Sequence, residues 1–307
     1  MTKVFIDGSV GTTGFRIYER LSERKDITLL TLPEETRKDV EARREMLNTA
    51  EIVFLCLPDA AAKESVSLIE NAKTAVIDTS TAHRTDPLWA YGFPELSGRR
   101  GKIESSKRIA NPGCHASGAI ALIAPLVENG IISKEVPLSV TSLTGYSGGG
   151  KKMIAEYEAE GRNPLLDAPR MYGLSQSHKH LPEISAQCSL VTDPAFLPIV
   201  APFYSGMEVT IPLFAKDVNG TIADVKEAYK KYYSKGLVSF CDDADEGGFL
   251  SAASYSGRDD MEISVFGNDD RILLVSRFDN LGKGASGAAI QNMNIILGVD
   301  EKTGLNV

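Results

Sequence analysis

A strand, a glycine turn and a helix follow one another at the start of the chain, and that order leaves few folds open. Lys3-Val4-Phe5-Ile6-Asp7 is a short apolar run, as in a strand buried on both faces. It enters Gly8-Ser9-Val10-Gly11-Thr12-Thr13-Gly14 directly, and Phe15 to Leu21 then carries apolar residues at helical spacing. Small residues in such a turn let the backbone approach a pyrophosphate seated on the helix N-terminus. Gly8, Gly11, Thr12, Thr13 and Gly14 are therefore candidate dinucleotide-binding residues. Their spacing is G-x-x-G-x-x-G rather than G-x-G-x-x-G, and a tight strand–helix connection without a ligand is the competing reading.

The alternation continues. Ile27 to Leu32 reads as a second strand, Arg43 to Ala50 as a helix, Glu51 to Pro58 as a buried strand with Cys56 in its core, Ala60 to Ala72 as a helix, and Thr74 to Asp78 as a strand. Strands alternating with helices imply a parallel, doubly wound sheet. The acidic residue that would hold an adenosine ribose at the end of the second strand is missing; Pro33-Glu34-Glu35-Thr36-Arg37-Lys38 follows instead. Arg37 or Lys38 in that place points to a 2′-phosphate, hence NADP rather than NAD, with a charged surface turn as the alternative. Ligands bind at the carboxyl edge of such sheets, where Leu57-Pro58-Asp59 and Asp78-Thr79-Ser80-Thr81-Ala82-His83-Arg84 lie. Ser80 is assigned to the cofactor there, and Arg84 is a candidate anion clamp or a loop arginine in a surface ion pair.

Arg108 to Ala110 leads into Asn111-Pro112-Gly113-Cys114-His115-Ala116-Ser117-Gly118, and a run of small and aliphatic residues follows. Pro112 fixes one φ and Gly113 relaxes the next, so Cys114 falls on the first turn of a helix. Exposed N–H groups and the positive dipole end lower a thiol pKa at that position. A cysteine there is either a nucleophile or ordinary core.

After Cys114 the pattern changes. Leu138 to Thr144, Gly206 to Leu213, Gly236 to Cys241, Met261 to Val265 and Arg271 to Val275 read as strands, giving an α+β domain on a mixed or antiparallel sheet. The expected division is 1–113 with 282–307 as a Rossmann domain, and 114–281 as a catalytic, substrate and oligomerisation domain. Gly145-Tyr146-Ser147-Gly148-Gly149-Gly150-Lys151-Lys152 is a candidate anion nest or a flexible turn. Ser177-His178-Lys179-His180-Leu181-Pro182-Glu183 holds two of the four histidines, and a carboxylate three residues beyond His180 supplies the orienter for a base serving a thiol. With no third ligand cluster, no metal is expected.

Composition sets outer bounds. The chain has 307 residues, enough for two domains, and a net charge of −8, which argues against a general nucleic-acid binder. The start shows no signal-peptide layout and no apolar run reaches a membrane span. Four scattered cysteines show no disulfide or zinc spacing, which fits a cytoplasmic protein.

The fingerprint, Asn111-Pro112-Gly113-Cys114, Gly145-Tyr146-Ser147-Gly148, His178-Lys179-His180-Leu181-Pro182-Glu183, and Asn280-x-x-Lys283-Gly284-Ala285 with Gln291-Asn292 together resemble the N-acetyl-γ-glutamyl-phosphate reductases, in their shorter form. Aspartate-β-semialdehyde dehydrogenases and, more distantly, glyceraldehyde-3-phosphate dehydrogenases share that architecture. The resemblance implies NADPH-dependent reduction of an acyl phosphate to an aldehyde in arginine biosynthesis, through a thioester on Cys114. It implies His180 with Glu183 as acid/base, His178 as the second choice, and Arg84, Asn111, Ser147 and Gly148 as substrate holders. Asn280, Gly284 and Gln291 would place the nicotinamide, and a homodimer or homotetramer is expected. Competing readings are aspartate-β-semialdehyde dehydrogenase, another acyl-phosphate reductase such as one acting on a carrier-linked amino-adipyl phosphate, and a non-catalytic NADP sensor with Cys114 as core.

Overall fold

A computed structural model describes residues 1–307. Its chain forms two compact units, one of residues 1–113 and 285–305, the other of 114–284 and 306–307. The first unit runs β1 (Thr2–Asp7), α1 (Thr12–Ser22), β2 (Ile27–Leu30), α2 (Val40–Thr49), β3 (Ile52–Leu55), α3 (Asp59–Ser67), β4 (Ala75–Asp78), β5 (Ala90–Tyr91), α4 (Arg99–Ser105) and β6 (Arg108–Ala110). The strands form one parallel sheet in the order β2-β1-β3-β4-β6-β5. Side chains alternate across it. Val4, Ile6, Ile52, Phe54 and Ile77 pack on the face with Ile17 and Leu21 of α1. Phe5, Val53, Leu55 and Val76 pack on the other with Leu47 of α2 and Ala62 of α3. Both faces being covered is why these strands read as unbroken apolar runs.

One helix ends earlier than its pattern suggests. The apolar spacing carries α3 to Ala72, yet it stops at Ser67 because Asn48 captures the chain. The Asn48 amide nitrogen donates to the Leu68 carbonyl, and its oxygen accepts from the Glu70 and Asn71 amides at 2.7 and 2.8 Å.

The second unit runs α5 (Cys114–Glu128), β7 (Ser139–Gly145), α6 (Gly150–Glu158), β8 (Arg170–Met171), α7 (Leu181–Cys188), β9 (Ala195–Ala201), β10 (Met207–Phe214), α8 (Ile222–Tyr232), β11 (Val238–Phe240), β12 (Met261–Gly267) and β13 (Arg271–Phe278). Its sheet has the order β11-β12-β13-β10-β7-β9-β8 and is mixed, with parallel pairs β7–β9 and β11–β12. Helix α5 is buried from His115 to Leu126 and packs on β10 and β13, with α7 and α8 beside it. Gly118 makes that approach possible: a Cβ there would lie 2.5 Å from Val209 Cγ2 and 2.8 Å from Phe278 Cε1. Pro125 inside α5 lacks the N–H that would bond the Ala121 carbonyl. The Tyr233 hydroxyl donates to that carbonyl instead, at 2.7 Å, so no buried acceptor is stranded.

The chain returns to the first unit at Ala285, three residues later than the Gly282 expected from the sequence. Gly282 is held by its own unit: its amide donates to Asp279 Oδ1, and a Cβ there would collide with the Arg258 carbonyl. One wide turn, Gly282–Ser286, then leads to α9 (Gly287–Leu297), whose Ile290 and Met293 join the sheet face that α1 covers. Asn306 leaves again, pairing with Asp259 through two backbone-borne bonds.

Candidate active site

Asp7 ends β1, and Gly8 turns the chain at φ +94 toward the end of β3. A Cβ on Gly8 would lie 2.3 Å from the Cys56 carbonyl oxygen, and one on Gly14 would lie 2.4 Å from the Gly8 carbonyl oxygen. Only glycine fits at these two places. Helix α1 has no side-chain cap and no acidic residue in its first turn, so its leading N–H groups lack helical partners. Thr12 Oγ1 beside them is buried with no protein partner. An orphaned hydroxyl at an uncapped helix start fits an anionic group.

A cavity of about 490 Å³ opens beside this turn, lined by Asp7 to Val10, Thr31, Leu32, Arg37, Lys38 and Arg43. Arg43 is buried and held by Asp7 Oδ2 at 3.0 Å and by Ser65 Oγ at 2.6 Å. Arg37 is different. It pairs at 3.1 Å with an exposed Glu34, a contact worth roughly 0–1 kcal/mol and easily exchanged for a phosphate.

At the edge of β4, Ser80 donates to Asp78 Oδ2 at 2.8 Å and accepts from the Ala82 amide, so its hydroxyl shapes the turn. His83 also meets Asp78 Oδ2, at 2.7 Å, and stacks on Trp89. Arg84 is buried and donates to the Asn111 carbonyl at 3.0 Å and the Thr79 carbonyl at 2.9 Å. Asn111 donates to the Ala285 carbonyl and accepts from Asn292. These residues fix the backbone that leads into Cys114. Gln291 is fully buried, its amide nitrogen donating to Glu95 and Glu301, and it pins α9.

In the second unit Cys114 is the first residue of α5 and half-buried. Gly284 touches it: a Cβ on Gly284 would lie 3.0 Å from Cys114 Cβ. His115, His178 and His180 gather in one ring cluster, with centroids 4.7 to 5.9 Å apart, and Tyr172 and Phe196 complete it. His178 Nδ1 accepts from the His180 amide at 3.2 Å, which puts the proton of the neutral ring on Nε2. Desolvation, with Lys179 assisting, lowers the His178 pKa. His180 is buried at the start of α7, and Glu183 is buried in that helix's first turn.

The glycine-rich segment is a tight turn over Tyr146–Gly149 that runs straight into α6, not a free loop. Ser147 is buried, its hydroxyl accepting from Asn280 Nδ2 at 2.9 Å, while Asn280 Oδ1 accepts from the Gly206 amide. Asn280 thus anchors the Ser147-Gly148 turn.

The sequence reading missed His115, Ser142 and Tyr172. His115 Nδ1 lies 2.6 Å from Ser142 Oγ, and its Nε2 lies 2.6 Å from the Tyr172 hydroxyl. A histidine directly after the thiol was the available signal.

Residues 3–105 match the family described as "Semialdehyde dehydrogenase, NAD binding domain", and 114–280 match "Semialdehyde dehydrogenase, dimerisation domain". The chain is 41% identical over 318 aligned positions, covering 99% of both chains, to an N-acetyl-gamma-glutamyl-phosphate reductase of Trichormus variabilis. It is 45% identical to one of Chelativorans sp., covering 96% of this chain and 98% of that one. Among solved structures, aspartate semialdehyde dehydrogenase II of Vibrio cholerae, complexed with ASA, shares the fold at TM-score 0.73 and 17% identity, over 97% and 98% of the two chains. With near-full-length identity to the reductases and both semialdehyde dehydrogenase domains matched in order, the chain belongs to the N-acetyl-γ-glutamyl-phosphate reductases of the semialdehyde dehydrogenase family.

Proposed function

We propose that this enzyme reduces N-acetyl-L-glutamyl 5-phosphate to N-acetyl-L-glutamate 5-semialdehyde and phosphate with NADPH, in arginine biosynthesis. The observation that carries the reading is Cys114 at the start of α5 beside a cluster of three imidazoles, in a chain aligned end to end with these reductases. The Cys114 thiolate attacks the acyl carbon, the C–O bond to phosphate breaks, and a thioester remains on the sulfur. NADPH, when bound, supplies the hydride. His180 lends a proton to the alkoxide that hydride addition leaves and takes it back as the C–S bond of the thiohemiacetal breaks, releasing the aldehyde and restoring the thiolate.

His180 is the better acid/base partner. His178 Nδ1 already accepts from a backbone N–H, so taking a proton there would break that bond. Glu183, three residues beyond His180 and in the first turn of α7, supports its imidazolium. Backbone N–H groups at the start of α5 serve the developing oxyanion. Ser147 and Gly148, set by Asn280, are the phosphate-binding candidates of the second unit, and in the first unit Arg84 holds the Asn111 carbonyl and so the backbone before Cys114.

Thr12, Thr13 and the three glycines hold the cofactor pyrophosphate, and Arg37 with Lys38 faces the 2′-phosphate. No carboxylate ends β2 to favour a free ribose 2′-OH. Arg37→Ala is expected to lower the preference for NADPH over NADH about tenfold, the loss of one charge-assisted bond. The match of 114–280 to a domain described as a dimerisation domain supports a homo-oligomeric assembly, and the cytoplasm is the compartment proposed for it. No helix is long and apolar enough to cross a membrane.

The decisive assay runs the reaction in reverse, with phosphate and NADP and either N-acetylglutamate semialdehyde or aspartate semialdehyde. Turnover of the first supports the assignment; turnover of the second alone overturns it. Slow iodoacetamide labelling of Cys114, insensitive to substrate, would instead favour a non-catalytic sensor.

A further inference from the structure

His115 has no part in the chemistry above, yet it is the hub of the ring cluster. Burial, with His178 assisting, pushes its pKa down to about 3, so the ring is neutral and carries one proton. A neutral imidazole donates from one nitrogen and accepts at the other. Two arrangements satisfy its contacts with Ser142 and Tyr172, each at 2.6 Å.

In the first, Tyr172 donates to Nε2, Nδ1–H donates to Ser142, and the Ser142 proton is left over. Ser142 is fully buried on β7 and its hydroxyl has no second partner. Stranding it costs roughly 1–3 kcal/mol. In the second, Ser142 donates to Nδ1 and Nε2–H donates to the Tyr172 oxygen. Every buried proton is then bonded, and the left-over proton is that of Tyr172, whose side chain is only partly buried. Burial holds the Tyr172 phenol above its ordinary pKa, and Cys114 adds to that shift, so the hydroxyl is a neutral donor within electrostatic reach of the thiol.

We propose that His115 is a positioning residue, locked by Ser142 as the Nε2–H tautomer, which leaves the Tyr172 hydroxyl proton to be donated as a hydrogen bond to the carbonyl oxygen of the acyl group on Cys114. The substrate half of this inference rests on the acyl-phosphate reading; the tautomer half does not.

The test begins with ¹⁵N chemical shifts of the histidine side chains in the intact wild-type enzyme. His115 is expected with Nδ1 bare and Nε2 protonated; a protonated Nδ1 would overturn the proposal. The kinetic arm uses Tyr172→Phe and Ser142→Ala, which remove one hydroxyl each. Tyr172→Phe is expected to lower kcat/KM for the acyl phosphate about 100-fold, as for a lost oxyanion donor. Ser142→Ala releases the tautomer and is expected to cost about tenfold, an effect that vanishes in the Tyr172→Phe background. Losses that simply multiply in the double variant would also refute the coupling. If the wild type is inactive on the acyl phosphate, the proposed function fails while the tautomer remains readable.

Discussion

Helices α1 and α5 each follow a strand through a turn of small residues, but α1 presents backbone to its ligand and α5 presents a side chain. Helix α1 buries only one stripe, Gly14, Ile17 and Leu21, and leaves Phe15 and Tyr18 exposed. Its N–H groups stay reachable, and the turn before it, Gly8 to Gly11, carries no titratable side chain. Helix α5 is buried through His115 to Leu126. Its start lies in an apolar setting where burial penalises charge on every neighbouring imidazole that shifts. A phosphate cradle needs clearance and free donors; a covalent site needs a thiol whose neighbours are fixed in protonation and place.

The sharpest way to break this contrast is to remove the one side chain that α5 contributes. Cys114→Ala should lower turnover by at least about 10⁴-fold, since a missing nucleophile disables the whole acyl-transfer sequence. NADPH affinity, read by fluorescence titration, should not change, because the cradle is built from α1. Lost cofactor binding in a folded Cys114→Ala protein would show that the two helix starts do not divide the work in this way.

The converse substitution is Gly14→Ala. Its Cβ would lie 2.4 Å from the Gly8 carbonyl oxygen and 3.0 Å from Ser9 Cα, both backbone atoms that cannot swing aside. NADPH affinity should fall on the order of 100-fold, the scale of a misplaced binding backbone. Iodoacetamide labelling of Cys114 should proceed at the wild-type rate, and a large change in that rate would contradict the separation.

Much of this was legible in sequence because local residue chemistry decided it. The β1 run, the three glycines and the Pro-Gly before Cys114 each force a backbone outcome, and the sheet of the first unit follows from alternation. What escaped notice depends on residues far apart in the chain. Strand β9 contains Pro198, which argues against a strand until Tyr172 N is seen donating to the Pro198 carbonyl. Helix α8 is not among the sequence expectations, although Thr221 and Asp224 form a capping box at its start. In the site, polar residues such as Ser80, Asn111, Asn280 and Gln291 look like ligand contacts in sequence, where their protein partners cannot be seen. Folded, they bond Asp78, Ala285, Ser147 and Glu95, respectively. The His115 hub needs Ser142 and Tyr172 brought to it, so spacing could not reveal it.

Gly284→Ala probes the same contrast more gently, at the thiol rather than the cradle. The added methyl would meet Cys114 Cβ at 3.0 Å and the Asp279 carbonyl at 3.1 Å, so the thiol must shift by a few tenths of an ångström. A loss of about tenfold in kcat is expected, with NADPH affinity unchanged. Loss confined to NADPH affinity would instead give Gly284 a cofactor role.

The smallest effect lies in acid stability, and it follows from the buried imidazole that comes directly after the thiol in α5. An unfolded chain protonates His115 below its ordinary value of 6.5, whereas the folded one resists down to about 3. In that window the unfolded state binds about one more proton than the native state, so stability falls as pH falls. Denaturant titrations of His115→Phe and wild type across the window should give pH slopes that differ by about one proton, the variant being flatter. Equal slopes would mean that native His115 already carries the second proton, and a charged ring could not accept the Ser142 proton at Nδ1. The half-buried His178 contributes to both proteins alike, so the difference isolates the ring that follows the thiol.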